Sequence, residues 1–139
     1  MKRLIKLLRK NQKGQAMVEL ALTLPILLLV VCGIIDFGWM MGNKMLLTYC
    51  SREGARYGAV AALQPNSVSL ITQKVINSAP TYLQSGMTVD VTFSNPADIA
   101  SGDVTVNVSY NVDALTPITG IFTNGQTVKE TSMCVMKVE

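Results

Sequence analysis

Residues 14–41 of the chain read GQAMVELALTLPILLLVVCGIIDFGWMM, and this stretch decides how the rest of the protein is organised. Its uninterrupted apolar part, residues 24–35, is only 12 residues long and could not span a bilayer alone. With its flanks, from residue 15 to residue 41, it makes a helix of about 40 Å, which is long enough. We therefore expect a membrane-spanning helix near the start of the chain.

The charges of the chain are unevenly distributed around this helix. Residues 1–14 hold six of the 12 Lys and Arg residues and no acid, whereas the remaining 125 residues carry six basic and nine acidic side chains. A basic cluster directly before an apolar run stays on the cytoplasmic side of the membrane. We therefore expect residues 1–14 to be a cytoplasmic leader and the rest of the chain to face outward. Because that outward part is net acidic, nucleic-acid binding is not expected.

The composition also limits the chemistry that the chain can perform. It has no histidine and only three cysteines in 139 residues, so a His-based catalytic pair or a Cys/His metal cage cannot be built. The polar residues of the second half are scattered, and no pairing of a nucleophile with a base is visible among them. We therefore expect a protein that is not an enzyme and that holds neither a cofactor nor a metal.

Two acidic side chains lie within the apolar segment, Glu19 near its start and Asp36 near its end. A carboxylate in hydrocarbon costs about 2.5–3.5 kcal/mol on insertion scales, so each acid requires an explanation. For Asp36 we expect a position at the outer lipid boundary, where an acid is tolerated. A buried charge pair at Asp36 is the less favoured alternative.

Glu19 belongs to a longer pattern in which a basic leader ends in Gly14 and a carboxylate follows at the fifth position after it. This is the prepilin pattern, and residues 14–60 resemble the TadE-like minor pilins of tight-adherence (Tad/Flp) pili. The matching pieces are GQAMVEL at 14–20, LPILLL at 24–29, GIIDFG at 33–38 and SREGARY at 51–57. Leu20 departs from the pattern, because many relatives in this pilus system carry an aromatic residue directly after the glutamate.

The resemblance implies that a prepilin peptidase removes the leader by cutting between Gly14 and Gln15. Glycine has no side chain to hinder a scissile bond and permits extended backbone geometry. The new α-amine of Gln15 would be largely protonated at neutral pH. Glu19 lies one helical turn away, and it would pair with such an amine of its own chain or of a neighbouring subunit.

Other processing signals fit this sequence less well. An ordinary secretory signal needs small residues shortly after the apolar core, where this chain has Ile34 and Ile35. A lipoprotein signal would use Cys32, but Val31 stands in place of the small residue that normally precedes the cysteine. The alternative that stays open is an unprocessed, single-pass, signal-anchored protein with an extracytoplasmic binding head.

The helix is expected to continue beyond the membrane, because no breaker occurs between Pro25 and Pro65. We predict a helix over 15–62, with about 16–41 in the membrane, and an extracytoplasmic head over 63–139. The outer part of the helix has an apolar face expected to pack on the head, formed by Leu46, Tyr49, Cys50, Tyr57, Val60 and Ala61. The opposite, polar face comprises Lys44, Thr48, Ser51, Arg52 and Arg56.

Within this helix, Glu53 is expected to pair with Arg56 three residues further on. Two small-residue spacings, Gly38 with Gly42 and Gly54 with Gly58, allow close helix approach and are candidates for subunit packing. For the second pair, a tight contact with the protein's own head is an equal alternative.

The head is predicted to begin with a helix over 66–79, capped by Asn66 or Ser67 and bearing an apolar stripe of Val68, Ile71, Val75, Ile76 and Ala79. Three strands follow, over 88–93, 104–112 and 126–138, and the second has the clearest period-two alternation of the chain. An Asn124-Gly125 turn should precede the last strand. An antiparallel sheet with one apolar face would be covered by the long helix, which is a pilin-like α+β fold.

Two further features of the head leave alternatives. Cys50 and Cys134 both face the predicted core; they are a candidate disulfide in an oxidising exterior, but two buried free thiols are favoured. The apolar loop over 118–122 is favoured as a lid on the core over a contact with a partner.

The sequence thus predicts a structural, non-catalytic minor pilin or pseudopilin for assembly of a tight-adherence pilus. Its expected location is the cytoplasmic membrane, with the N-terminus inside and the head outside, or the pilus after processing. The expected partners are the membrane, the prepilin peptidase, other pilin or pseudopilin subunits and the pilus assembly machinery.

Overall fold

A single long helix runs through the whole molecule. The computed structural model describes residues 12–116 and 127–138. Helix α1, Gln12–Ala61, has 50 residues and is therefore about 75 Å long. Pro25 lies inside it without ending it. The predicted long N-terminal helix is confirmed.

The remaining elements form a small α+β head. Its helices are α2, Ser67–Ser78, and α3, Thr81–Gln84. Its strands are β1, Thr88–Phe93, β2, Asp103–Val112, and β3, Val128–Lys137, with a short 3-10 turn, Ile99–Ser101, between β1 and β2. The strands pair antiparallel in the order β1-β2-β3. The predicted fold class is therefore confirmed.

The core of the head lies between the sheet and the outer part of α1. Val104, Val106 and Val108 on the central strand β2 are fully buried, while their sequence neighbours point to the other face of the sheet. On β3, Ser132, Cys134 and Met136 share this inner face. Helix α2 adds Ile71 and Val75, so the core is closed by two helices on one face of the sheet.

The buried face of α1 differs from the predicted one. Val60 is 71% exposed and Tyr49 is also exposed, whereas Ser51, expected on the polar face, is fully buried. The buried face is instead formed largely by small or short side chains, namely Asn43, Leu47, Cys50, Ser51, Gly54, Ala55, Gly58 and Ala59. Hydrophobicity alone misplaced the face, because the head approaches α1 most closely at Gly54 and Gly58, which have no side chain to signal burial, although Leu47 is also fully buried.

The closest approach occurs at the second glycine pair. A Cβ atom on Gly54 would lie 2.3 Å from Val75 Cγ2, and one on Gly58 would lie 3.0 Å from Val104 Cγ2. Both glycines are therefore covered by the protein's own head, which corrects their assignment to subunit packing. A Cβ atom on Gly38 or on Gly42 would meet nothing within 4 Å in the described part of the chain.

Helix α2 begins differently from the prediction. Asn66 occupies the N-cap position with a left-handed φ of 63°, and its side chain makes no capping hydrogen bond. Val68, predicted in the apolar stripe, is exposed. The stripe is thus narrower than expected and consists mainly of the residues that reach Gly54 and Gly58.

The Asn124-Gly125 turn and the apolar loop over 118–122 lie outside the described residues.

Replacement of Gly54 by alanine should loosen the head. The new methyl group would overlap Val75, and we expect a net loss of about 1–2 kcal/mol, since overpacking costs about 1–3 kcal/mol and alanine gains up to about 1 kcal/mol in helix propensity. The measurement is hydrogen exchange of the β2 amides in the detergent-solubilised full chain, which should become about 5–30-fold faster. The matched control is Gly42→Ala, at an open glycine of the same helix, and equal exchange in the two variants would contradict the proposed contact.

Candidate membrane-boundary and processing site

The first part of α1 presents an uncovered apolar surface. Every residue from 14 to 35 is exposed apart from Cys32, which is half buried. Among the described residues, α1 is the one helix long and apolar enough to cross a membrane. Such a surface is unstable in water, so this single N-terminal helix indicates membrane anchoring.

The predicted processing residues lie at the start of this surface. Gly14, Gln15 and Glu19 are all exposed on the first turns of the described part of α1. Gln15 and Glu19 share one side of the helix because they are four residues apart. Gly14 is itself helical here, but glycine is a poor helix former, so the backbone around it can open at modest cost.

Asp36 is the first buried residue of α1 and does not have the surroundings that the sequence suggested. It is only 2% exposed. Its Oδ1 accepts hydrogen bonds from the backbone N–H groups of Leu115 at 3.0 Å and Thr116 at 2.9 Å. The hydroxyl of Thr116 donates to its Oδ2. Backbone amides and a hydroxyl thus stabilise this buried carboxylate, and its position at the outer lipid boundary stays a prediction.

The course of β2 explains how residues so distant in sequence reach Asp36. Val104 lies against Gly58 and Val106 against Gly54, so β2 descends along α1 towards its membrane half. After Val112 the chain continues in the same direction to residues 115 and 116. The backbone N–H groups of these two residues therefore lie within hydrogen-bonding distance of the Asp36 carboxylate. The carboxylate replaces the water that these N–H groups lose when the segment packs against α1. We call this contact the Asp36 clamp.

A second polar contact joins α1 to α3 about two turns above Asp36. The Asn43 side chain donates to the backbone carbonyl of Trp39 at 3.0 Å and accepts from the hydroxyl of Tyr82 at 3.1 Å. The rings of Tyr82 and Trp39 stack with centroids 5.8 Å apart. Asn43 is almost completely buried, so its hydrogen bonds fix Tyr82 against the helix.

Further polar contacts hold β3 and α2 to α1. The hydroxyls of Ser51 and Ser132 lie 3.1 Å apart in the core, and Lys44 donates to the carbonyl of Thr131. The predicted Glu53–Arg56 pair is confirmed at 3.2 Å.

Helix α2 also contributes to this charged group. The Nζ atom of Lys74 lies 3.5 Å from Glu53. The hydrogen bond from Arg56, together with the charges of Arg56 and Lys74, lowers the pKa of Glu53 below its usual value.

The cysteines are free thiols in the structure. Cys50 is fully buried, and this burial raises the pKa of its thiol. Cys134 is half buried against the same core. Within residues 12–116 and 127–138, no group of three or more His, Cys, Asp or Glu side chains could hold a metal ion.

Several residues of this boundary could not be identified from the sequence. Asn43, Tyr82, Leu115 and Thr116 are each unremarkable in their local sequence. One signal does exist: Asn43 follows Asp36 by seven residues, which puts two polar side chains on the same face of an otherwise apolar helix. Such a face requires polar partners from elsewhere in the fold.

Comparison with known proteins matches the first part of the chain only. The family model described as TadE-like protein matches residues 14–56, which run from Gly14 to the middle of the head-covered part of α1. No curated protein and no solved structure matches the chain.

Substitutions in the Asp36 clamp should have graded effects. Asp36→Leu leaves the two part-buried amides of Leu115 and Thr116 without this acceptor and should cost about 1–3 kcal/mol, whereas Asp36→Asn keeps the Oδ1 acceptor and should cost less. Thr116→Val removes one hydroxyl and should cost about 0.5–1.5 kcal/mol. Hydrogen exchange at the amides of residues 115 and 116 measures the effect directly. If both amides stay protected in Asp36→Leu, the clamp does not hold the segment.

Proposed function

We propose that the chain is a non-catalytic minor pilin or pseudopilin that takes part in assembly of a tight-adherence pilus. The proposal starts from the match of residues 14–56 to the TadE-like family model. The family match itself associates the chain with the Tad pilus and with the membrane. The observation that carries the finer proposal is the position of the match, which begins at Gly14, the last residue of the basic leader, and includes Glu19.

The proposed first step is removal of the leader after Gly14 by a prepilin peptidase at the cytoplasmic face. Three features support it. The basic leader would hold residue 14 at an anionic lipid surface, glycine offers an unhindered bond, and Gly14 and the residues that follow it are exposed. Hydrolysis of the Gly14–Gln15 bond adds one water molecule, which gives a carboxylate on the leader and an α-amine on Gln15.

The proposed second step is assembly through Glu19. A carboxylate in the lipid layer lacks the water that would solvate it, and the α-amine of Gln15 is a charge of opposite sign in the same layer. When subunits associate, an amine from one chain can pair with Glu19 of another, which offsets the cost of burying both charges. Uncut chains have no charged group at residue 15, so trimming would precede assembly.

A further support for subunit packing is the open glycine pair. At about 100° per residue, Gly38 and Gly42 lie roughly 200–240° around α1 from Asp36, on the side away from the head. No other part of the described chain would come within 4 Å of a Cβ atom added at either glycine, and Met45 next along this surface is exposed. We propose that a second pilin helix packs there, because small residues let two helices approach closely.

The alternative function is an unprocessed, signal-anchored protein whose head binds another molecule. Both functions place the N-terminus inside and the head outside, with residues 63–139 as the extracytoplasmic part. They differ in the mass of the mature chain, since only the pilin function removes residues 1–14.

Substitution of Gly14 tests the peptidase step. Gly14→Val should block trimming while membrane insertion continues, because the branched side chain hinders the scissile bond and the spanning segment is unchanged. The measurement is the intact mass of membrane-extracted protein in cells that contain the peptidase. Gly33→Val, at an exposed glycine of the same helix, is the matched control and should be trimmed normally. Normal trimming of Gly14→Val would refute the assignment.

Substitution of Glu19 tests the assembly step separately. Glu19→Ala should be trimmed almost normally, but its co-purification with other pilin subunits and its recovery in sheared filaments should fall about tenfold or more, the effect of losing roughly 1.4 kcal/mol or more of pairing. Glu19→Gln, which keeps the size but not the charge, should behave like the alanine variant.

The control for this experiment is Thr23→Ala, which removes a polar group one turn further along α1. It should assemble normally, since the Thr23 hydroxyl bonds within its own helix, to the carbonyl of Leu20. Undiminished assembly of Glu19→Gln would exclude a role for the charge.

A further inference from the structure

On the side of α1 that packs against the head, the exposed apolar surface ends earlier than the sequence indicates. From residue 16 to residue 35 the surface is uncovered, and these 20 residues make a helix of about 30 Å. This is the thickness of the hydrocarbon core of a typical bilayer. The next residue, Asp36, is buried by the head. On the side of α1 that faces the head, the uncovered surface therefore ends at residue 35, whereas on the other side Phe37, Met41 and Met45 remain exposed.

Aromatic and aliphatic side chains collect at this level. Phe37 is 66% exposed, and Trp39, about 3 Å higher along α1 and about 200° around it from Phe37, is 38% exposed. Tyr82, on α3, is exposed but stacked on Trp39, and Leu115 is exposed although its amide is bonded to Asp36. We call these four residues the boundary patch. Two of them come from α1 and two from the head.

The boundary patch has the chemistry of a membrane interface. Trp and Tyr are enriched at the level of lipid headgroups, since each combines an apolar ring with a polar group. Tyr82 fits this description, because its ring is partly exposed while its hydroxyl bonds to Asn43. The patch is also continuous with the exposed apolar surface of the same helix, since Phe37 follows that surface after the single buried residue Asp36.

From this arrangement we propose that the head rests on the outer surface of the membrane, with the boundary patch inserted among phospholipid headgroups. The Asp36 clamp and the Asn43–Tyr82 hydrogen bond hold Leu115 and Tyr82 at a fixed height on α1, so the head cannot rise from the lipid without breaking them. The bound partner of the patch is the lipid interface itself. This inference depends on membrane insertion of α1, but not on trimming or on pilus assembly.

The single tryptophan of the chain allows a direct test. Full-length protein is reconstituted into phospholipid vesicles that carry bromine either near the headgroups or near the bilayer centre. The measurement uses only protein that resists carbonate extraction and is therefore inserted in the membrane. Bromine quenches tryptophan at short range. The expected result is a larger loss of Trp39 fluorescence with bromine near the headgroups than with bromine near the centre.

Two outcomes would overturn the proposal. An absence of quenching at both depths would mean that the head stands clear of the lipid. Stronger quenching from the bilayer centre would mean that Trp39 lies in hydrocarbon and that the membrane segment continues to about residue 41. Neither outcome would alter the trimming or assembly tests, so this inference and the proposed function fail independently.

Three variants extend the measurement to the head. In a Trp39→Phe background, Tyr82→Trp and Leu115→Trp should each be quenched by shallow bromine, because both positions belong to the boundary patch. The matched control is Leu63→Trp, at a residue that is 63% exposed and lies just beyond the outer end of α1, about 40 Å along the chain from Asp36. It should not be quenched. Equal quenching of all three variants would show that the head lies on its side, contrary to the proposal.

Discussion

The structure depends on one constraint: a single helix serves both as the membrane segment and as the central support of the head. The first half of α1 therefore needs large apolar side chains around its whole circumference, because lipid surrounds it. The second half needs one face with small side chains, because a sheet and a helix pack closely on it. Gly54 and Gly58 meet the second requirement, and their contacts with Val75 and Val104 set the distance between α1 and the head.

The Asp36 clamp lies where these two halves meet. A buried carboxylate is tolerated there because two backbone amides and one hydroxyl donate to it. The same hydrogen bonds join the chain after β2 to a residue 79 positions earlier in the sequence, at the end of the lipid-facing segment. A purely apolar contact at this level would be non-directional and would allow the head to slide along α1, whereas hydrogen bonds fix its height.

Much of the fold could be predicted from the sequence, because its signals are strong and local. The alternation of valine in β2 gives both the strand and its buried face, and the absence of breakers after Pro25 gives the length of α1. The buried face of α1 could not be predicted in the same way. It is defined by what packs against it, and glycine and serine have no hydrophobic signal that would separate Ser51 from the polar face.

The contacts of Asp36 could not be predicted from the sequence for a related reason. Asp36 could be recognised as unusual from its place in an apolar run, but its partners lie in a segment that follows the central strand, and nothing local marks Leu115 or Thr116. The arrangement becomes predictable only once the direction of β2 along α1 is known. The processing residues present the opposite case, since Gly14 and Glu19 form a linear pattern that is readable in the sequence even though their surroundings in the fold are open.

These two classes of residue would impose different demands on the chain if, as proposed, it is a pilin that leaves the membrane. Glu19 and the exposed surface over 14–35 can exchange lipid for neighbouring helices without any change in the head, because no part of the described head covers them. The boundary patch cannot leave the lipid surface separately from the helix. Tyr82 and Leu115 are hydrogen-bonded to α1, so the head and the helix must leave the lipid surface together. Extraction would then remove both the apolar helix and an aromatic patch from lipid in one step, and neighbouring subunits would have to cover both. The proposed pilin would therefore require contacts at the base of its head as well as between helices.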